Sequence, residues 1–146
     1  MEITRTVETS APVEKVFAYL TDFENTNEWD PGTVRTTRTA GDGGVGTKYH
    51  NVSKFLGRKT ELDYTVRTLA EPSRFVIVGE NESANTSDTM TFEPTRTGAK
   101  VTYTAVFEFK GAAGKVAAVL SPLLALALKR LGDETAKSIE QTLERL

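Results

Sequence analysis

The 146-residue sequence has no cysteine, and His50 is its only histidine. Without cysteine the chain cannot form a disulfide, a thiolate nucleophile, an iron–sulfur centre or a cysteine zinc site. With one histidine, most other metal ligands would have to be carboxylates, so we predict no metal site. No Gly-x-Ser-x-Gly motif is present either, which argues against a hydrolase built on a Ser-His-Asp triad.

The sequence also lacks a surplus of positive charge and a long apolar run. Its 18 basic and 20 acidic residues give a formal charge of −2, so no nucleic acid partner is expected. The longest apolar stretch, Val116 to Leu128, is interrupted by Ser121-Pro122 and is shorter than the roughly 20 residues of a membrane-spanning helix. The segment Met1 to Arg5 does not have the pattern of a secretory signal, which favours a cytoplasmic location.

Length and composition predict a single globular domain over residues 1–146. Domains commonly contain about 100 to 200 residues, and no linker, repeat or shift in composition divides this chain. The loop Gly41 to Gly46 is rich in glycine, but no Lys-Ser/Thr pair and no helix follow it. We therefore interpret it as a hairpin turn and predict no cofactor.

Alternating apolar and polar residues predict seven β-strands. Ile3 and Val7 mark the first strand, which ends near Thr9. A short amphipathic helix follows Pro12, and a second short helix or ordered loop contains Trp29, which we expect to close one end of the core. The six further strands are predicted near residues 33–40, 46–55, 58–69, 74–81, 85–94 and 99–109.

The C-terminal segment from Ala112 to Leu146 has the periodicity of one long helix, whose firm part covers residues 123–145. Pro122 predicts a kink or a late helix start. The expected sheet-facing row is Leu124, Leu128, Leu131 and Ile139, with the Val116–Leu123 end as a movable lid.

Residues 117–128 are apolar almost all round the predicted helix. Three alternatives stay open for this segment: burial, a homodimer contact or a membrane-touching gate. Burial or dimerisation is favoured, because the segment lacks the Lys/Arg-rich polar face of an interfacial helix.

Two predicted turns fix which side chains share a sheet face. A hairpin with Leu56-Gly57 at its tip pairs Tyr49 with Tyr64 and Asn51 with Leu62. A turn near Arg96-Thr97 places Met90 beside Tyr103 and Asp88 beside Ala105. One face is then apolar and aromatic and the other Thr-rich and charged, as in a sheet covered on one side. His50 falls on the outer face, whereas Asp88 is buried in this register and exposed in a displaced one.

A strongly coiled seven-stranded sheet leaves more space than one helix about 10 Å wide can fill. We therefore predict an apolar cavity with a few polar anchors, suited to a small hydrophobic ligand. No catalytic residue is assigned, and the tyrosines are equally compatible with a purely structural role in the core. The candidate ligand-binding residues are Tyr49, Asn51, Tyr64, Asp88, Met90, Tyr103, Leu124 and Leu128.

Three segments carry a resemblance to a known superfamily: SAPVEKVFAYLTDFENTNEWDPG (10–32), GVGTKYHNVSKFLGRKTELDYTV (44–66) and DTMTFEPTRTGAKVTYTAVFEFKG (88–111). Together with the order of elements they resemble the START-like SRPBCC superfamily, in particular its bacterial polyketide cyclase/dehydrase subgroup. The resemblance implies an α+β helix-grip fold, in which a seven-stranded curved antiparallel sheet wraps a long C-terminal helix. It also implies binding of a lipid, isoprenoid or polyketide-like ligand, with cyclisation and dehydration of a poly-β-ketone as the alternative.

Overall fold

The computed structural model describes all 146 residues and has an α+β architecture. One seven-stranded antiparallel sheet carries four α-helices and one short 3-10 turn. The strands are β1 (Glu2–Thr9), β2 (Thr33–Ala40), β3 (Lys48–Phe55), β4 (Arg58–Ala70), β5 (Arg74–Glu80), β6 (Ala84–Pro94) and β7 (Ala99–Phe109). The helices are α1 (Val13–Thr21), α2 (Thr26–Trp29), α3 (Gly111–Val119) and α4 (Ser121–Leu143), and the 3-10 turn is Phe23–Asn25.

The strand order is β1-β7-β6-β5-β4-β3-β2, so strands β2 to β7 follow one another as a meander. Strand β1 joins the far edge by pairing with β7, and α1 and α2 span the distance back to β2. This is the predicted helix-grip arrangement, with seven strands and two short helices after the first.

The predicted strand register is confirmed. Tyr49 pairs with Tyr64 in β3–β4, and Met90 pairs with Tyr103 in β6–β7. Leu56 and Gly57 both have positive φ, 53° and 77°, which suits a tight two-residue hairpin loop. A register shift between Val66 and Thr68 on β4 was not predicted.

A core of 19 buried residues fills the space between the sheet, the α1–α2 region and the C-terminal half of α4. Phe17 of α1 meets Phe92 of β6 edge to face, with ring centroids 5.0 Å apart. Trp29 is buried at the end of α2, as the sequence predicted. This end of the molecule is therefore well packed.

The C-terminal segment forms two helices instead of one long helix. Helices α3 and α4 are bent by 92° at a break next to Leu120, and Pro122 stands in the first turn of α4. Proline fits there because the first helical N–H groups have no intrahelical acceptor. The expected late start at Pro122 is confirmed, whereas a continuous helix from Ala112 is wrong.

Helix α4 lies tightly against β1. A Cβ added at Gly132 would come within 2.8 Å of Ile3 Cγ2, so only a glycine allows this approach. Arg5 of β1 donates from Nε to Asp133 Oδ1 at 2.9 Å and from Nη2 to the Lys129 carbonyl at 3.1 Å. Of the predicted sheet-facing row, Leu128 and Ile139 are buried, while Leu124 and Leu131 are half-buried.

The apolar segment at the helix break is exposed, so the expectation of burial is wrong. No residue of α3 is buried, and Val119 and Leu123 are 79% and 68% exposed. No single helix is long and apolar enough to cross a membrane, although α3 and α4 taken together, with their bend, have the necessary length and composition.

Candidate ligand-binding site

The strand register brings six of the sequence-predicted site residues onto the concave face: Tyr49, Asn51, Tyr64, Asp88, Met90 and Tyr103. Tyr64 pairs with Gly79 of β5, which pairs in turn with Thr86 of β6. A Cβ at Gly79 would lie 2.8 Å from Tyr64 Cε1, so the glycine leaves room for the Tyr64 ring to lie over β5. The ring is thereby directed towards β6, the strand that carries Asp88.

Asp88 faces inward and is only 6% exposed, which settles the register alternative. Burial raises the pKa of Asp88 from 3.8 to about 7, because an ionised carboxylate loses hydration there. A polar contact with the Tyr103 hydroxyl lowers this pKa, whereas the nearby negative charge of Asp30 raises it further. Asp88 therefore exchanges a proton close to neutral pH.

Asp30 is a second, half-buried carboxylate near this face, and the sequence analysis did not include it. It follows α2, and its carboxylate accepts hydrogen bonds from Thr33 Oγ1 at 2.6 Å and from the Gly32 N–H at 3.1 Å. Burial raises the pKa of Asp30 and these two hydrogen bonds lower it. Its position in the Asp-Pro-Gly turn gave no sign that the carboxylate points inward.

The two inner tyrosines can donate hydrogen bonds but cannot act as bases at neutral pH. Burial is the main cause that raises the pKa of Tyr64 and of Tyr103 far above 10, and the charge of Asp88 adds to both. Both phenols therefore stay protonated at neutral pH. The Tyr103 ring meets Trp29 edge to face at a centroid distance of 6.1 Å.

Tyr103 is the one concave-face site residue that is not buried. It is half-buried, whereas Met90, which pairs with it, is 1% exposed and Asp88 is 6% exposed. Tyr103 is therefore the polar residue of this face that a bound molecule could reach.

Tyr49 and Asn51 lie deeper in the structure, near α2. The Asn51 amide donates to Thr33 Oγ1 at 3.1 Å and to Thr36 Oγ1 at 2.8 Å, so both its N–H groups are engaged. Tyr49 packs edge to face on Phe23 with centroids 5.7 Å apart, and its hydroxyl has no hydrogen-bond partner. Both residues are therefore held by packing and hydrogen bonds at one end of the concave face.

Leu124 and Leu128 lie on the same side of α4 as Gly132, because residues four apart share a helix face. Gly132 touches β1, so this side of the helix is turned to the sheet. Leu128 is buried, whereas Leu124, which is nearer the helix break, is half-buried. The sheet-facing side of α4 is therefore more accessible towards Pro122.

An open groove of about 270 Å³ lies between α4 and the β3–β4 hairpin. Its apolar walls come from Phe55 and Leu56 on the hairpin and from Ala127 and Leu131 on α4. Its other lining residues are Pro31, Gly32, Lys54, Arg130 and Glu134.

A second concavity, about 320 Å³, lies on the outer face of the sheet and is largely polar. His50 is on that outer face, as predicted, and pairs with Asp63 and Glu61. The histidine is therefore separated from Asp88 by the sheet itself.

A curved antiparallel sheet that grips a C-terminal helix, capped by two short helices, defines the START-like helix-grip class of proteins. The model of the family described as "Polyketide cyclase / dehydrase and lipid transport" matches residues 1–144, and the chain belongs to this family. No curated protein matches the sequence.

Solved structures agree on the fold. A START superfamily protein from Mycobacterium smegmatis is 16% identical with a TM-score of 0.80, over 99% of this chain and 97% of the other. The Zhui aromatase/cyclase from Streptomyces sp. R1128 is 13% identical with a TM-score of 0.82, over 99% and 94%. Identities this low show a common fold and leave the ligand to be determined.

Proposed function

We propose that the protein binds a small hydrophobic molecule, a lipid, isoprenoid or polyketide, between α4 and the concave face of the sheet. The observation that carries this proposal is the half-buried Tyr103, which keeps accessible surface on the concave face although its strand partner Met90 is buried. Membership of a cyclase and lipid-transport family supports the same ligand class.

The chemistry around this space suits a ligand that is mainly apolar with one or two oxygen atoms. Met90 and Leu128 supply apolar surface, while Asp88 and Tyr103 supply the polar anchors. Tyr103 donates a hydrogen bond to a carbonyl or hydroxyl oxygen. Asp88, with a pKa of about 7, accepts from a hydroxyl when ionised and donates to a carbonyl when protonated.

A pair of matched lysine substitutions tests where the ligand binds. Leu62 and Val52 are both half-buried apolar residues of the β3–β4 hairpin, but Leu62 faces inward and Val52 outward. The probes are saturated fatty acids of 12 to 18 carbons, with complexes counted by native mass spectrometry and affinity measured by calorimetry.

The wild-type protein should form a one-to-one complex with at least one of these fatty acids. Leu62→Lys should weaken it at least tenfold, because a lysine brings charge and bulk to the apolar face. Val52→Lys should bind as the wild type does. Equal loss in both variants, or no complex with any chain length, contradicts the proposal.

Cyclisation of a poly-β-ketone is the second candidate function, favoured by the pKa of Asp88 near 7. In this reaction the Asp88 carboxylate takes a proton from a carbon between two ketones, while Tyr103 hydrogen-bonds one ketone oxygen. The resulting enolate carbon attacks a second ketone, forming a carbon–carbon bond and an alkoxide, which takes the proton back from Asp88. The Asp88 carboxylate then removes the second hydrogen of the same carbon and passes it to the departing hydroxyl, so a carbon–carbon double bond forms and water is released.

The matching assay incubates the protein with the linear product of a polyketide synthase and follows ring formation by mass spectrometry and absorbance. Asp88→Asn should abolish any acceleration, and Tyr64→Phe should reduce it while leaving the fold intact. A cyclisation pattern unchanged by the wild-type protein contradicts this second function and leaves ligand binding to be judged by its own test.

A cytoplasmic location and a homodimer stay predictions.

A further inference from the structure

The bend between α3 and α4 places a group of large apolar side chains in solvent. We call this group the apolar corner; it consists of Val116, Val119, Leu120, Leu123 and Leu126, all exposed. Scattered apolar residues are ordinary on a protein surface, but a contiguous group generally marks a contact surface.

The β3–β4 hairpin adds to the same end of the molecule. Leu56 at its tip is exposed, and with Phe55 it lines the groove whose other wall is Ala127 and Leu131 of α4. The hairpin tip and the start of α4 are therefore the two sides of one opening. The apolar corner continues from the α4 side.

The segments that form the hairpin tip and the apolar corner carry only basic charges, although Glu80 and Glu82, at the β5–β6 connection, lie at the same end of the sheet. Residues 52–60 contain Lys54, Arg58 and Lys59, and residues 109–132 contain Lys110, Lys115, Lys129 and Arg130. These two segments hold seven of the 18 basic residues and none of the 20 acidic residues, which leaves a formal charge of −9 on the rest of the chain. Only Glu134, one turn further along α4, brings a carboxylate to the groove.

We propose that the apolar corner and the hairpin tip dock on an anionic lipid surface. The leucine and valine side chains enter the boundary between head groups and acyl chains, and the seven cations pair with lipid phosphates. The acidic remainder of the chain is repelled by the same surface, so the molecule is oriented with the groove towards the membrane. Docking does not depend on which ligand the inner site holds.

The charge distribution also argues against a second copy of the chain as the occupant. A two-fold dimer places the same patch on both sides of the interface. The seven cations of these segments would then face their own copies across the two-fold axis, with Glu134 the only carboxylate of the groove to offset them, which is unfavourable for association. An anionic bilayer supplies both the apolar depth and the opposite charge.

Vesicle flotation tests this proposal with the full chain. The vesicles are pure phosphatidylcholine and a 7:3 mixture of phosphatidylcholine with phosphatidylglycerol. The protein should float with the anionic vesicles and not with the neutral ones, and high salt should weaken binding at least tenfold, because the phosphate contacts are screened.

Two substitutions and a matched control locate the contact. Leu123→Glu and Val119→Glu should each lower binding to anionic vesicles at least tenfold. Val45→Glu should leave it unchanged, since Val45 is as exposed as Leu123, at 67% against 68%, but lies in the β2–β3 loop at the opposite end of β3. All three positions are exposed, so circular dichroism should show the wild-type melting temperature.

Three outcomes overturn the proposal: no binding to anionic vesicles, equal binding to neutral vesicles, or equal loss in the Val45→Glu control. A further contrary result is a dimer in sedimentation that Leu123→Glu dissociates while the wild type ignores vesicles. Failure of the vesicle experiment does not affect the fatty-acid experiment, because Leu62 and Asp88 lie on the concave face of the sheet and not in the apolar corner.

Discussion

Tyr103 and Asp88 are diagonal neighbours on adjacent strands of the sheet, and the Tyr103 hydroxyl favours the ionised form of the Asp88 carboxylate and so lowers its pKa. In the β6–β7 register Tyr103 is opposite Met90 and Asp88 is opposite Ala105, so both side chains point to the concave face. Burial raises the pKa of Asp88 to about 7, and the tyrosine opposes that shift. The strand register thus determines which hydroxyl lies near the Asp88 carboxylate and influences its pKa.

Asp88→Asn should change how stability depends on pH. The pKa of Asp88 is higher in the folded protein, about 7, than in the unfolded chain, so the folded state binds the proton more tightly. The stabilisation from this group is complete below about pH 4 and is lost as pH rises through 7. Relative to the wild type, Asp88→Asn should therefore gain roughly 2 to 4 kcal/mol in unfolding free energy between pH 4 and pH 8.

Urea unfolding at both pH values measures this difference. Parallel pH curves for the wild type and Asp88→Asn would show that Asp88 keeps an ordinary pKa in the fold.

Tyr103→Phe should raise the pKa of Asp88 above about 7, because it removes the hydroxyl that stabilises the ionised form. Carboxyl carbon NMR of aspartate-labelled protein follows the titration directly. Tyr64→Phe is the control, since the Tyr64 phenol stays protonated and carries no charge while Asp88 titrates. A lower pKa in Tyr103→Phe would mean that the phenol does not contact the carboxylate.

His50 should titrate above its ordinary pKa of 6.5. Its Nδ1 lies 2.8 Å from Asp63 Oδ1 and its Nε2 lies 3.0 Å from Glu61 Oε1, and both contacts favour the protonated ring. The stability that it contributes is therefore present at low pH and lost as pH rises through the folded pKa. Because the chain has one histidine, its ring protons give an unambiguous NMR titration.

Asp63→Asn should lower the pKa of His50 more than Glu61→Gln does, since the hydrogen bond to Asp63 is the larger cause of the shift. The reverse order would contradict the contacts described for this residue.

The two halves of α4 should differ sharply in their contribution to stability. Ile139 is 1% exposed and sits in the core, so Ile139→Ala should cost about 2 to 5 kcal/mol in unfolding free energy. Leu123→Ala, at a 68% exposed position of the same helix, should stay within about 0.5 kcal/mol of the wild type. Chemical denaturation of both variants checks the contrast, and comparable losses would place Leu123 in a packed environment.

Local rules were sufficient to predict the strands and their pairing. The Leu56-Gly57 turn and the alternation on each side of it determine that Tyr49 meets Tyr64, because a one-residue slip would reverse every side chain. The same reasoning placed Asp88 opposite Ala105, and Pro122 gave the start of α4.

The missed features depend on contacts between elements distant in sequence. Gly132 has no side chain to mark it as buried, and it becomes so only because α4 approaches Ile3. Asp30 follows α2 in a turn that its sequence does not distinguish from an exposed one, and the structure shows it half-buried. For residues 117–128 the sequence left burial, a homodimer contact and a membrane-touching gate open, because apolar composition alone does not distinguish a core helix from a docking surface.

Methyl NMR with dodecanoic acid tests the central proposal, a hydrophobic ligand between α4 and the sheet, most directly. The protein has two methionines: Met90 is buried on the concave face next to Tyr103, and Met1 is exposed at the start of the chain. With carbon-13 methyl labels, the Met90 resonance should shift saturably and show contacts to the acyl chain, while the Met1 resonance stays in place. An unchanged Met90 resonance under conditions where the acid binds, or equal shifts of both methyl groups, would contradict an inner site.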